Sequence, residues 1–386
     1  MDNMDADIVN LTQDKPADTN DGIDTVHNHI PSDIACVDDY QAYAKQALPH
    51  SSWEYIDGGS ADELTLSRNR SELNKIGLMT KVLSVNAQPN TRTTVMGQAL
   101  CHPMLLGPVA YQQLAHPLGE VASLKAATAQ DVGYVLSTLS SISIEQVADN
   151  SDGAPLWFQL YIQADFNHTL DLIRRAEKAG FSALVITVDA PINGLRNREQ
   201  RARFKLPDGV SAVNLSEYVS ASSSVQGLAG GSLADLLNSA PTWDTIAKIQ
   251  QHTYLPVIIK GVLSVDDALM AKSLAVDGIV VSNHGGRVLD GVPATIEVLG
   301  DIRQAVGPEM SILFDSGIRR GSDIFKAIAL GADAVLIGRP IMYALATAGP
   351  LGVAHMLRLL KDEFEITMAL CGCNSISDIT ADKLYL

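Results

Sequence analysis

Cysteine is scarce in this 386-residue chain, occurring only at Cys36, Cys101, Cys371 and Cys373. Four are too few for a disulfide framework, and Cys371-Gly-Cys373 lacks the two-residue gap of a redox pair. No apolar run approaches the roughly 20 residues that a membrane-spanning helix needs, so no membrane partner is expected. The opening Met1-Asp2-Asn3-Met4-Asp5 has neither the basic nor the apolar region of a secretory signal, and a cytoplasmic location follows by default. Positive charge is also short: 28 Lys and Arg stand against 44 Asp and Glu, a formal net charge of −16. Sequence-independent nucleic-acid binding needs the opposite balance. Absent too is a Gly-x-Gly-x-x-Gly after the first strand, which counts against a dinucleotide-binding sheet.

What is present is a large apolar content, 46%, enough for a substantial core. Residues 1–36 carry eight aspartates and one lysine and read as a solvated, disordered leader. His27 and His29 lie there, but nothing nearby completes a metal site, and no metal is expected. Residues 37–386 read as one domain. Within it, β-branched runs at 103–110, 133–138, 156–162, 183–189, 256–262, 278–284, 311–316 and 334–338 alternate with helical patterns such as Leu170, Ile173, Ala176 and Ala179. Ser143, Ser264 and Ser322 stand where helix caps belong. Eight alternations of strands this apolar predict an α/β fold, a closed (β/α)8 TIM barrel behind an N-terminal helical segment, with an open doubly wound sheet as the alternative. After the fourth strand some fifty residues pass before a helix near Thr242. The Ser/Gly-rich middle, 216–232, suggests a lid spanning about 205–240 on the side where barrels build active sites.

The most informative stretch is Ser-Asn-His-Gly-Gly-Arg at 282–287, directly after an apolar strand. His284 can move a proton near neutral pH, and Arg287 can grip a carboxylate through two parallel hydrogen bonds. Gly285 and Gly286 allow backbone to approach a ligand closely. Together they suggest chemistry on the carbon beside a carboxylate. Other strands deliver polar residues at matching ends: Ser137, Gln159 with Tyr161, Thr187 with Asp189, Lys260, and Asp315. Two further turns, Asp315-Ser316-Gly317-Ile318-Arg319-Arg320-Gly321 and Gly338-Arg339-Pro340, suit a phosphate, with Arg319 and Arg339 as countercharge. A phosphorylated cofactor is therefore expected.

These segments resemble the FMN-dependent α-hydroxy acid oxidase and dehydrogenase family, as do Gln-Leu-Tyr at 159–161, Thr-Val-Asp at 187–189, Val-Pro-Ala-Thr at 292–295, Ile-Gly-Arg-Pro at 337–340 and the closing helix at 362–370. The resemblance runs from about Asp38 to the end. It implies FMN as cofactor and oxidation of an L-2-hydroxy acid, with His284 as the base and Asp189 stabilising the imidazolium. Arg287, Tyr55 and Arg196 would hold the carboxylate, and Tyr161 the α-hydroxyl. Lys260 would sit beside flavin N1; Ala110, Ser137, Gln159, Thr187 and Ser282 would face the ring. Asp315, Gly317, Arg319, Gly338 and Arg339 would hold the ribityl phosphate. Leu139 stands where glycolate oxidases commonly carry an aromatic residue, which leaves room for an α-substituent and favours L-lactate. Dioxygen is the expected electron acceptor, and a homotetramer or larger homo-oligomer the expected assembly. The rivals are a quinone- or protein-linked dehydrogenase, a type 2 isopentenyl-diphosphate isomerase, and an inactive flavin scaffold.

Overall fold

The computed structural model describes residues 29–84, 89–218 and 240–386. Three helices come first: α1 (Asp39–Ala47), α2 (His50–Asp57) and α3 (Leu64–Lys75). Eight strand–helix units follow: β1 (Met104–Leu106), α4 (Gly119–Ala129), β2 (Gly133–Ser137), α5 (Ile144–Ala148), β3 (Leu156–Leu160), α6 (Phe166–Lys178), β4 (Leu184–Thr187), α7 (Asn197–Arg201), α8 (Trp243–Gln250), β5 (Val257–Val262), α9 (Val265–Ser273), β6 (Gly278–Val281), α10 (Thr295–Val306), β7 (Ser311–Phe314), α11 (Gly321–Ala329), β8 (Ala334–Ile337) and α12 (Arg339–Leu370). Each strand pairs in parallel with its neighbours in sequence, and β8 closes on β1.

Both strand faces are apolar because both are covered. Met104, Leu106, Leu136, Phe158, Ile186, Ile259 and Phe314 pack outward against the helices. The alternate set, Leu105, Val135, Trp157, Val185, Ile258, Val280 and Leu313, fills the barrel, and Val95 and Leu100 of a small hairpin join it from below. This period of two, read along every strand, decides what stands above the plug.

All eight expected strands form, but most stop earlier than the apolar runs suggested. The first ends at Leu106 rather than 110, and the sixth at Val281 rather than 284. Ser137, Gln159, Thr187 and Lys260 stand within their strands, whereas Tyr161, Asp189, Ser282, His284, Arg287 and Asp315 therefore stand on the loops just beyond the ladders. Ser143 and Ser264 cap α5 and α9. Ser322 does not cap α11; Asp323 instead accepts the backbone N–H groups of Arg319 and Arg320. Residues 29–36 were assigned to the leader, yet Ile34 is buried in the main core and Asp33 accepts the Tyr43 hydroxyl. Packed chain thus begins ahead of residue 37; residues 1–28 lie outside the described residues.

The absence of a long apolar run also needs correction. Residues 340–357 carry no Asp, Glu, Lys or Arg, and α12 is long and apolar enough to cross a membrane by length and composition. In the fold 83% of its most apolar stretch is buried, and it breaks at Ala348-Gly349 before Pro350. It is a core helix of the barrel. Of the expected lid, 219–239 lies outside the described residues. The part before it is anchored: Leu215 is buried, Asn214 bonds Ser140 and the Ile144 amide, and Tyr218 bonds Asp171 and stacks on His168.

Candidate active site

One step of two beyond the barrel plug, the inward positions become polar or glycine: Ser137, Gln159, Thr187, Lys260, Ser282, Asp315 and Gly338. Another step of two places Leu139, Tyr161, Asp189 and His284 above that ring. The strand period thus stacks two layers of side chains under a single cavity of about 1450 Å³. A drug-sized ligand needs about 300–1,000 Å³, so there is space for a cofactor and a small substrate together. Of the expected site residues, Asp189 and Ser282 stand just behind the wall; the others line it.

In the lower layer Ser137 donates to Gln159 Oε1 (3.2 Å) and Gln159 Nε2 donates to Thr187 Oγ1 (2.9 Å). Across from this chain, buried Lys260 donates to Ser282 Oγ (3.0 Å) and pairs with Asp315 (3.1 Å). Burial opposes its charge, but Asp315 and Asp189 raise its proton affinity above the usual lysine range. Lys260 is not at the end of its strand, as the sequence suggested. The register shifts between Lys260 and Val262, and Gly261 takes φ +114° there. The bulge follows Lys260, whose inward aim comes from the strand period.

The upper layer holds the proton-transfer geometry. His284 Nδ1 lies 2.8 Å from Asp189 Oδ1, and its Nε2 lies 3.4 Å from the Tyr161 hydroxyl. Because a carboxylate only accepts, Nδ1 carries the ring proton and Nε2 presents its lone pair. Burial alone would raise the Asp189 carboxyl, but His284 and Lys260 hold it below the ordinary range. Its Oδ2 is buried with no partner of its own. Burial, then Asp189, raises the Tyr161 phenol above its usual range, so it stays protonated at neutral pH. His284 itself is in the left-handed region, φ +57°, followed by Gly285 and Gly286 at +65° and +71°. That conformation costs a non-glycine residue about 1–2 kcal/mol. Side-chain acceptors hold the turn at His284 N–H to Ser282 Oγ (3.1 Å), Gly285 N–H to Ser316 Oγ (3.0 Å) and Gly286 N–H to Asn283 Oδ1 (3.1 Å), and the Gly286 N–H also reaches the Asn283 carbonyl (2.9 Å).

Arg287 is half-buried and has no carboxylate partner among the described residues. One nitrogen, Nη1, donates to the carbonyls of Tyr55 and Gly58, each at 2.8 Å, and the guanidinium lies 5.1 Å from the Tyr55 ring. Burial, then the like charges of Arg196 and Arg339, pushes it down to about 9. It remains charged at neutral pH and wants an anion. Arg196 is held by Glu199 at 3.2 Å. Arg339, expected only at a phosphate, donates to the carbonyls of Ile56, Gly58 and Gly285 and so shares an anchor with Arg287. Burial and Arg319 lower its proton affinity. Arg319 lies 3.4 Å from Asp38 as well as on the cavity.

Beside these charges stands a different wall. Tyr55 stacks on Phe204 at 4.4 Å and lies 6.3 Å from Tyr111, with Ala110, Leu139, Leu206 and Leu215 beside them. Phe204 was not singled out in the sequence; its neighbour Arg196 was the only hint. Glu120 was missed too. It is fully buried and accepts the amides of Gln112 (3.1 Å) and Ser141 (2.9 Å), tying together the loops that carry Tyr111 and Leu139. Helix numbering alone could not reveal that role.

The site suits FMN. The polar chain from Ser137 to Thr187 faces a buried ammonium, and two arginines without full charge compensation border the cavity. At Gly338 an added Cβ would meet nothing within 4 Å. An FMN-binding barrel with a carboxylate-seeking arginine beside a His–Asp pair is the class these features define. A family model described as FMN-dependent dehydrogenase matches residues 44–386, and the chain belongs to that family. It is 45% identical to an L-lactate oxidase of Roseobacter sp. (strain GAI101) over 90% of this chain and 93% of that one. It is 40% identical to glycolate oxidase 1 of Oryza sativa subsp. indica, covering 92% and 96%. A solved structure of mandelate oxidase with benzoyl-formic acid superposes with TM-score 0.82 at 41% identity, covering 91% of this chain and 97% of that one. The expected fold, cofactor and enzyme class stand.

Proposed function

We propose that the protein oxidises an L-2-hydroxy acid, L-lactate by preference, to the 2-oxo acid. The observation that carries this reading is the His284–Asp189 pair, with Nε2 turned into a cavity that Arg287 lines without a carboxylate of its own. The substrate carboxylate completes Arg287, with Tyr55 and Arg196 beside it. Its α-hydroxyl lies between Tyr161 and His284. Nε2 takes the hydroxyl proton as the carbonyl forms, and Asp189 stabilises the resulting imidazolium. FMN, when bound, would supply the redox chemistry as a two-electron acceptor for the α-hydrogen, and dioxygen would then take that electron pair with the α-hydrogen's proton and the one released from His284, giving hydrogen peroxide. Lys260 stabilises negative charge that develops in the lower layer. Leu139, which leaves room for a methyl group, and the relative named L-lactate oxidase support the choice of acid.

The test is anaerobic flavin reduction by glycolate, L-lactate and L-mandelate, followed by admission of air with peroxide detection. Fastest reduction by L-lactate and stoichiometric peroxide are expected. Reduction without reaction in air would move the protein to the quinone- or protein-linked dehydrogenases. A flavin that no hydroxy acid reduces would end the proposal.

A further inference from the structure

Behind the 283–286 turn lies α3, more than two hundred residues earlier in the chain. Its Asn69 is 2% exposed and faces Asn283, itself 4% exposed. The two amides bond reciprocally: Asn69 Nδ2 donates to Asn283 Oδ1 (2.9 Å), and Asn283 Nδ2 donates to Asn69 Oδ1 (2.7 Å). Asn283 Nδ2 also donates to the Pro293 carbonyl (3.1 Å), while its Oδ1 accepts the Gly286 N–H. Both donors and both lone pairs of Asn283 are thus used, which fixes its amide in one orientation. Helix and turn are in close contact as well, since a Cβ at Gly286 would lie 2.7 Å from the Leu66 nitrogen.

A turn of three successive left-handed residues persists only where its surroundings over-determine it. Apolar packing would suffice to join α3 to the barrel. A saturated amide pair does more, because it dictates which side-chain atom of Asn283 joins the turn's own backbone bond at the Gly286 N–H. We propose that Asn69 is a positioning residue for His284: through Asn283 it holds the turn in the conformation that keeps the imidazole against Asp189. This rests on the reading of His284 as the base. Arg287 is pinned separately by the Tyr55 and Gly58 carbonyls. Loss of Asn69 should therefore slow the chemistry and leave carboxylate binding alone.

The experiment uses the full, FMN-loaded chain with Asn69→Ala and Asn69→Asp. Asn69→Asp keeps the acceptor for Asn283 Nδ2 and loses the donor, so it should recover part of what Asn69→Ala loses. Anaerobic reduction by L-lactate should fall about tenfold or more in Asn69→Ala, the scale of a small misplacement of a reacting group, while the KM changes by less than about threefold. Amide exchange across 282–290 should quicken in both variants. A reduction rate per bound flavin equal to wild type, even with a lowered melting temperature, would reduce Asn69 to a structural residue and overturn the proposal. So would unchanged exchange across 282–290. If Asn69→Ala does not fold, Asn69→Asp decides by the same two readings. If no hydroxy acid reduces the wild-type flavin, the assigned reaction falls, and exchange across the turn then decides this inference alone.

Discussion

The two walls of the cavity are built on different terms. On one, His284, Asp189, Lys260, Asp315 and Ser282 hold one another through bonds of 2.8–3.1 Å, each group set by the charge of the next. On the other, Tyr55, Phe204, Tyr111 and Leu139 meet through ring faces and side-chain volume, and only the Glu120 carboxylate behind them is strongly polar. A change of one member on the first wall leaves buried charge uncompensated, which is costly. A change on the second alters shape, and one methylene or ring is worth only about 1–3 kcal/mol in discrimination. On the proposed function, the first wall would fix the kind of reaction and the second the acid that undergoes it. The relatives share one family and carry names referring to lactate, glycolate and mandelate.

The contrast breaks most readily at His284. His284→Ala should leave FMN bound while reduction by substrate falls at least about 100-fold, the scale of a lost positioned base; stopped-flow reduction near the wild-type rate would remove His284 from the chemistry. Arg287→Lys keeps charge but loses the fork, and kcat/KM should fall about tenfold or more. Equal kcat and KM in steady state would assign the carboxylate to another group. The same arginine sets a pH limit. A carboxylate favours its protonated form, so the affinity for a 2-oxo acid analogue should be full below about 9 and lost as pH rises through that value. Beyond it the loss should approach about tenfold per pH unit. A dissociation constant from flavin spectra that stays flat to well above 9 would contradict the isolation of Arg287. On the apolar wall, Leu139→Trp should shift the preference from L-lactate towards glycolate by roughly tenfold with a nearly unchanged best rate. An equal loss for every acid would show that this wall, too, serves the reaction itself.

Much of the charged wall was legible because its members announce themselves locally. His284 and Arg287 follow an apolar strand in one hexapeptide, and the period of two carries Gln159 to Tyr161 and Thr187 to Asp189. The barrel was legible for the same reason, since eight apolar runs need covering on both faces. Strand ends were not, because an apolar run such as 103–110 continues past the last ladder bond as packing against the cavity. The apolar wall was legible at Tyr55 and Leu139 through the family resemblance, but its packing was hidden. Phe204 matters through its stack on Tyr55, and Glu120 through loops on two different strands; neither relation leaves a spacing in the chain. Arg339 was found but given a single partner, whereas its carbonyl anchors lie near residues 56 and 285.

Gly261 offers a way to read distant relatives. An added Cβ there would lie 2.5 Å from Asp189 Cβ, in a backbone conformation that other residues rarely take. One hydrogen atom in place of a methyl group is thus what lets the carboxylate reach the imidazole. The strand bulge at this position constrains it twice, by the space beside Asp189 and by a φ of +114°. A homologue with intact Ser-Asn-His-Gly-Gly-Arg but a larger residue at this place should still bind FMN and turn over hydroxy acids poorly, which a yellow, slow protein would demonstrate.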